Sequence, residues 1–344
     1  MPHNYTADHA DIAACRALLR HGSRSFHAAS LLLPARIRNP ATALYAFCRE
    51  ADDAIDLGGD ATKALAALKL RLARACAGVP EPSPVDRAFA AVLAEFDIPH
   101  ALPAALLEGL SWDAQARRYP TLESLLDYAA RVAGAVGVMM ALLMGVRDPA
   151  SLARAADLGV AMQLTNIARD VGEDAAAGRL FLPLSWLAQE GIDPERFLAA
   201  PEMTPSLGRI VRRLLEEADT LYIGANAGIA RLPPDCRAGI AIARRLYAAI
   251  GQKVAAAGYD SINRRARVRG YHKLILALGA LPGLLAGALA PRRADRPALP
   301  ANLFLIDAVG PGPAPEPATG RAVKLLILFE RLERIQREAA GRMA

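Results

Sequence analysis

Apolar positions recur every three or four residues through most of the chain, in stretches interrupted by Pro and Gly. Ala61 to Ala77 and Pro205 to Ile229 show the pattern most plainly, with Ala, Leu and Ile on one stripe and Arg, Lys and Glu on the other. That is the period of an amphipathic helix. Breakers fall at Pro34 and Pro40, Gly58-Gly59, Pro80 to Pro84, Pro99 and Pro103, Pro120, Pro149, Pro183, Pro201 and Pro205, and Pro233-Pro234. They divide the chain into many medium-length helices. Two-residue alternation with hairpin dipeptides is almost absent, so strands are not expected. The prediction is an all-α fold. The abundance of Ala, the strongest helix former, reinforces it. Aromatics make up 5% of the residues, which argues against a sandwich or barrel.

The pattern places a main helical domain at residues 8–290, a Pro-rich extended connector at 291–320 and a charged amphipathic helix at 321–344. The longest apolar run, Leu274 to Ala290, lies between His272-Lys273 and Arg292-Arg293 and contains Pro282. It is shorter than the ~20 residues a spanning helix needs. Two readings stay open for it: a buried helix pair, or a segment resting on a membrane surface.

Two helices carry polar stripes inside otherwise apolar sequence. In the first, Tyr45, Arg49, Asp52 and Asp56 share one face; in the second, Gln163, Asn166, Asp170 and Asp174 do. Acids four apart on a helix cost roughly 0.2–0.5 kcal/mol in water, and more where the face is buried. One such pair is usually a solvated face. Two, each preceded by hydrogen-bonding residues, point to a bound cation shared across a cavity. Carboxylate oxygens suit hard Mg²⁺, which keeps waters and bridges to phosphates. Asp52, Asp56, Asp170, Asp174 and Asn166 are the candidate metal ligands.

Composition adds less. The net charge is +6, and of 41 basic residues only 5 are Lys, leaving 36 Arg. Arg suits planar contacts with phosphate, although a coding bias gives the same count. The Arg264 to Arg269 cluster lacks interleaved stacking aromatics, so no nucleic-acid partner is expected. Four scattered cysteines carry no zinc or disulfide spacing. The N-terminal residues show no secretory pattern. The expected compartment is the cytoplasm, with peripheral contact on the inner membrane.

The sequence also resembles the squalene/phytoene synthases, which join two prenyl diphosphates head to head. The resemblance spans about residues 14–275. It runs through Ser23-Arg24-Ser25-Phe26, Leu32-Leu33-Pro34, Tyr45-Ala46-Phe47-Cys48-Arg49 with Asp52 and Asp56, and Asp113 with Arg118-Tyr119-Pro120-Thr121. It continues through Tyr128, Val132-Ala133-Gly134, Gln163-Leu164-Thr165-Asn166-Ile167 with Asp170 and Asp174, and Gly178-Arg179. It closes with Leu182-Pro183, Tyr247, Gly258-Tyr259-Asp260 and Arg264-Arg265-Ala266-Arg267-Val268. Within the family it is most similar to bacterial members that make 15-cis-phytoene.

The resemblance implies a single-domain isoprenoid-synthase-like helical bundle around a central cavity. Its two aspartate motifs match Asp52 with Asp56 and Asp170 with Asp174 as the catalytic metal-binding acids; Arg49 and Tyr45, catalytic with them, match positions that hold diphosphate. Gln163 and Asn166 match polar site residues. Tyr247 and Arg265 match diphosphate-holding positions, as do Ser23 and Ser25, and Asp113 matches a further site aspartate. Arg24 replaces a frequent Lys, and Phe181 a frequent Tyr. The implied cofactor is Mg²⁺, with Mn²⁺ as a substitute. NADPH is not expected: phytoene formation needs no reductant, and the chain has no Rossmann Gly-rich turn.

The expected reaction is a Mg²⁺-dependent condensation of two geranylgeranyl diphosphates through a cyclopropyl diphosphate. Squalene, presqualene diphosphate and C30 dehydrosqualene are the alternative products. A helical lipid- or membrane-binding protein is the non-enzymatic alternative. Val132 to Val146 is a candidate wall for the prenyl tail, where Ala133, Gly134 and Gly137 would leave room; ordinary core packing explains the same residues.

Overall fold

The computed structural model describes residues 7–22, 27, 30–57, 60–266 and 297–310. Every regular element among them is helical. The first half contains α1 (His9–Gly22), α2 (Ala35–Leu57), α3 (Ala61–Cys76), α4 (Pro84–Glu95) and α5 (Ala101–Ala114). Then come α6 (Leu122–Ala129), a π-helical turn (Ala130–Gly134), α7 (Ala135–Leu143) and α8 (Pro149–Ala176). The second half contains α9 (Leu184–Gln189), α10 (Pro194–Ala199), α11 (Pro205–Arg231) and α12 (Pro234–Ala256). A 3-10 turn (Pro300–Asn302) leads into α13 (Leu303–Val309).

Several predicted breakers turn out to be helix starts. Pro84, Pro149 and Pro205 each open a helix, directly after Ser83, Asp148 and Thr204, and Pro194, which the sequence reading did not single out, does the same after Asp193. Each of those side chains accepts an N–H of the first turn, and Pro has no N–H to leave unpaired. Pro40 differs: α2 runs through it. It lies early in the helix, and the buried Ile37, Ala41 and Leu44 hold both flanking turns against the core, offsetting one lost backbone bond.

The bundle is organised around α8, which buries Leu152, Ala156, Val160, Leu164, Ile167 and Val171. It packs against α7, α11 and α12. The contact with α7 is backbone to backbone. A Cβ on Gly137 would overlap the Ala155 carbonyl, and one on Gly159 would overlap the Ala133 carbonyl. The crossed numbering makes the two helices antiparallel. Gly134 therefore leaves no room for a tail: its open side meets Asn302 and Leu305. Leu122–Leu143 is long and apolar enough to cross a membrane by length and composition, yet 61% of its apolar window is buried inside the bundle.

The stretch 297–310, expected to be extended connector, is folded instead. Arg154 donates to the Pro297 carbonyl at 3.1 Å, and Asn302 donates to Asp157 at 2.9 Å. Leu305 and Ile306 are buried. Pro composition predicts extension only while the apolar residues between the prolines have no groove to enter. The apolar run Leu274 to Ala290 and the terminal helix at 321–344 lie outside the described residues.

Candidate active site

The carboxylates on α2 and α8 meet through a shared arginine. Arg179 follows the end of α8, where Gly178 takes φ +72° and the Arg179 N–H returns to the Asp174 carbonyl at 2.8 Å. From that turn its guanidinium donates to Asp56 at 3.0 Å and stands 3.8 Å from Asp174. A single side chain therefore spans the two aspartate motifs. Sequence reading quoted Arg179 but gave it no role; its place just past the second stripe was the available signal.

The remaining acids also have cationic partners. Arg49 grips Asp53 at 2.5 Å and reaches Asp52 at 3.5 Å. Asp170 is paired with its neighbour Arg169 and with Arg265, whose Nε lies 3.0 Å away. Arg265 also meets Glu173 at 2.9 Å. Its segment is pinned to α8: Ser261 donates to the Ala168 carbonyl at 2.6 Å, and the Gly172 N–H donates to the Ser261 carbonyl at 3.0 Å. Only glycine at 172 permits that approach, since a Cβ would lie 2.9 Å from two carbonyl oxygens.

These groups leave too much negative charge out of water. Desolvation raises Asp52, and the Asp56 and Asp53 carboxylates add to it. Asp174 is pushed up to about 7, by burial first and then by Asp170 and Glu173, against the pull of Arg179. Asp113 is also pushed up to about 7, mainly by burial. Tyr128 donates to one of its oxygens at 2.9 Å, while the other is buried without a partner. Phe181 stacks on Tyr128 at 5.3 Å and on Tyr119 at 6.1 Å, and the hydroxyl bonded to Asp113 comes from Tyr128.

An apolar cavity of about 260 Å³ opens beside the acids. Tyr45 on α2, Gln163 and Asn166 on α8 and Tyr247 on α12 form its polar end. Burial lifts the Tyr45 hydroxyl to about 12 and raises that of Tyr247. Asp170 and Asp174 lie one and two turns further along α8 from Asn166, and Asp52 and Asp56 two and three turns along α2 from Tyr45. Val132, Val136, Met140 and Met144 form one wall, as the candidate tail wall predicted.

Of the sequence-predicted residues, Tyr45, Gln163, Asn166 and Tyr247 line the cavity itself, while ion pairs join Asp56 and Asp174 through Arg179 and Asp170 to Arg265. Ser23, Arg24, Ser25 and Phe26 lie outside the described residues. Sequence reading missed Arg169, Arg179 and the Tyr128 bond to Asp113.

The donor chemistry fits a hard divalent cation. The oxygens are carboxylate and amide, two of the carboxyls are pushed to about 7, and a buried oxygen of Asp113 has no partner. Among the described residues, no three acidic, histidine or cysteine side chains converge on one point; arginines meet the acids instead.

The sequence profile described as squalene/phytoene synthase matches residues 19–272. A phytoene synthase from Rhodobacter capsulatus is 56% identical over 82% of this chain and 84% of its own length. A 15-cis-phytoene synthase from Pantoea ananas is 42% identical over 82% of this chain and 94% of its own. Among solved structures, a dehydrosqualene synthase in complex with ligand superposes with a TM-score of 0.74 and 30% identity, covering 80% of this chain and 97% of that one.

Proposed function

The chain belongs to the squalene/phytoene synthase family, and from that membership we propose that it is a prenyltransferase of the 15-cis-phytoene synthase type, acting in carotenoid biosynthesis. It joins two geranylgeranyl diphosphates head to head. The first condensation forms a cyclopropyl diphosphate and releases diphosphate and a proton. The second step expels the remaining diphosphate, rearranges the skeleton and loses a proton to give phytoene. No electrons enter from a reductant, so NADPH is not required.

The observation that carries this reading is the join between acids and tunnel: two aspartate motifs linked through Arg179, next to a 260 Å³ apolar cavity. Asp52, Asp56, Asp170, Asp174 and Asn166 would hold Mg²⁺, which supplies positive charge to the departing diphosphate. Arg49, Arg179, Arg265 and Tyr247 would donate to a diphosphate held near those acids, supplying a preorganised field as the bond breaks. The valine and methionine wall excludes water, which would quench the allylic cation. Gln163 and the half-buried Tyr45 mark where the polar head gives way to the tail.

The decisive test is Asp170→Asn. Purified protein with geranylgeranyl diphosphate and Mg²⁺ is assayed for released diphosphate and for hydrocarbon. Turnover should fall by about 10²-fold or more, as when one transition-state electrostatic contact is removed, while the far-UV spectrum stays helical. Wild-type turnover in this variant would refute the site assignment. C15 substrate run in parallel separates phytoene formation from the squalene and dehydrosqualene alternatives. We also propose a cytoplasmic enzyme that contacts the inner membrane peripherally, because the product is insoluble in water; full recovery in the supernatant with liposomes present would count against that.

A further inference from the structure

A charged residue lines the cavity about three helical turns from its polar end. Arg154, on the second turn of α8, lines the cavity, yet its side chain is only 4% exposed. Its guanidinium is held away from the lumen by Asp157 at 3.0 Å and by the Pro297 carbonyl at 3.1 Å. Asp157 in turn accepts the Asn302 amide at 2.9 Å. The aliphatic stem faces α11, where an added Cβ on Gly228 would overlap its Cβ. An arginine with its head tethered and its stem packed makes a fixed end plate.

The depth of that plate is set by α8. A rise of ~1.5 Å per residue puts Arg154 about 18 Å along the helix from Asn166. An extended chain advances roughly 1.1–1.2 Å per bond, so the sixteen main-chain carbons of a C20 prenyl tail need roughly 18 Å and the twelve of a C15 tail roughly 14 Å. A C15 tail anchored at the polar end stops about one helical turn short of Arg154; a C20 tail reaches it. The other walls converge there too. Because α7 runs antiparallel to α8 beside Ala155, Met140 and Met144 lie at this end, and Leu232 lies one turn beyond Gly228.

We propose that Arg154, clamped by Asp157 and the 297–310 segment, is the floor of the prenyl tunnel and sets C20 as the longest tail accepted. The proposal rests on the prenyltransferase reading and adds to it the residue that limits the tail to C20. Arg154 touches the terminal isoprene unit, far from the bonds that change, so it governs selectivity rather than the chemical step.

The test uses the full chain with Mg²⁺ and C15, C20 and C25 all-trans prenyl diphosphates. Gly228→Ala pushes the Arg154 stem into the lumen; kcat/KM for C20 should fall about tenfold or more relative to C15. Leu232→Ala opens the same end, and the C25 to C20 ratio should rise by a similar factor. Equal losses on C15 and C20 in Gly228→Ala, or an unmoved C25 to C20 ratio in Leu232→Ala, overturn the proposal. If Gly228→Ala does not fold, Leu232→Ala decides alone. A wild-type protein without turnover on any length would sink the reaction instead, and the floor is then judged by calorimetric binding of the three diphosphates, where the same shifts in rank are required.

Discussion

Asp113→Asn separates the electrostatic cost of the site from its packing. The folded carboxyl sits at about 7 against an ordinary 3.8, because burial outweighs the Tyr128 bond and the pull of Arg179. A raised carboxyl means the native state holds its proton more tightly than the unfolded chain. Its favourable contribution is complete below pH ~4, shrinks as pH rises and is gone above about 7. At 1.36 kcal/mol per pH unit, the difference between pH 4 and pH 8 comes to roughly 4 kcal/mol. Asparagine keeps an oxygen for Tyr128 and cannot ionise. Its amide, however, would occupy the place of the partnerless oxygen, at a cost of about 1–3 kcal/mol. The variant should therefore be less stable than wild type at or below about pH 4, cross it between about pH 4.5 and 6, and be more stable at pH 8. Urea unfolding at a series of pH values, in chelator and without divalent metal, reads the difference. Parallel stability curves for the two proteins would refute the reasoning, because they would mean that Asp113 ionises in the fold as easily as in water.

Two other substitutions probe the frame around the acids. Arg179→Met removes the guanidinium that joins Asp56 and Asp174. A charge-assisted hydrogen bond to diphosphate is worth about 1.5–3 kcal/mol, so kcat/KM should fall roughly 10- to 100-fold. The melting temperature should change little, since the lost pairs are partly exposed; a large thermal loss with normal turnover would make Arg179 purely structural. Gly159→Ala drives a methyl group into the Ala133 carbonyl, which belongs to a neighbouring helix and cannot rotate away. Overpacking of this kind costs ~1–3 kcal/mol, and calorimetry should show a melting temperature several degrees lower; an unchanged value would mean that α7 and α8 separate freely.

The helical class, the two aspartate stripes and the family were legible in the residues alone, because each depends on local spacing. A 3.6-residue period puts Asp52 with Asp56, and Asp170 with Asp174, on one face whatever the rest of the chain does. Caps and breakers likewise act within a few residues, so the starts of α4, α8 and α11 could be read from Pro84, Pro149 and Pro205. Pro40 marks the limit of that reading, since burial of its neighbours kept α2 intact.

What the tertiary structure decided concerns groups far apart in sequence. The link from Asp56 through Arg179 to Asp174 joins positions over a hundred residues apart, and no periodicity encodes it. Ala133, Gly134 and Gly137 looked like space for a tail; Ala133 and Gly137 do line the cavity, whereas Gly134 is used for close approach to Asn302 and Leu305. Composition marked 297–310 as connector, yet the buried pair Arg154 and Asp157 offers hydrogen bonds that bind it to the bundle. Local pattern fixes which face a side chain occupies, whereas the partner across that face is chosen by packing and by where desolvated charge finds its counter-charge.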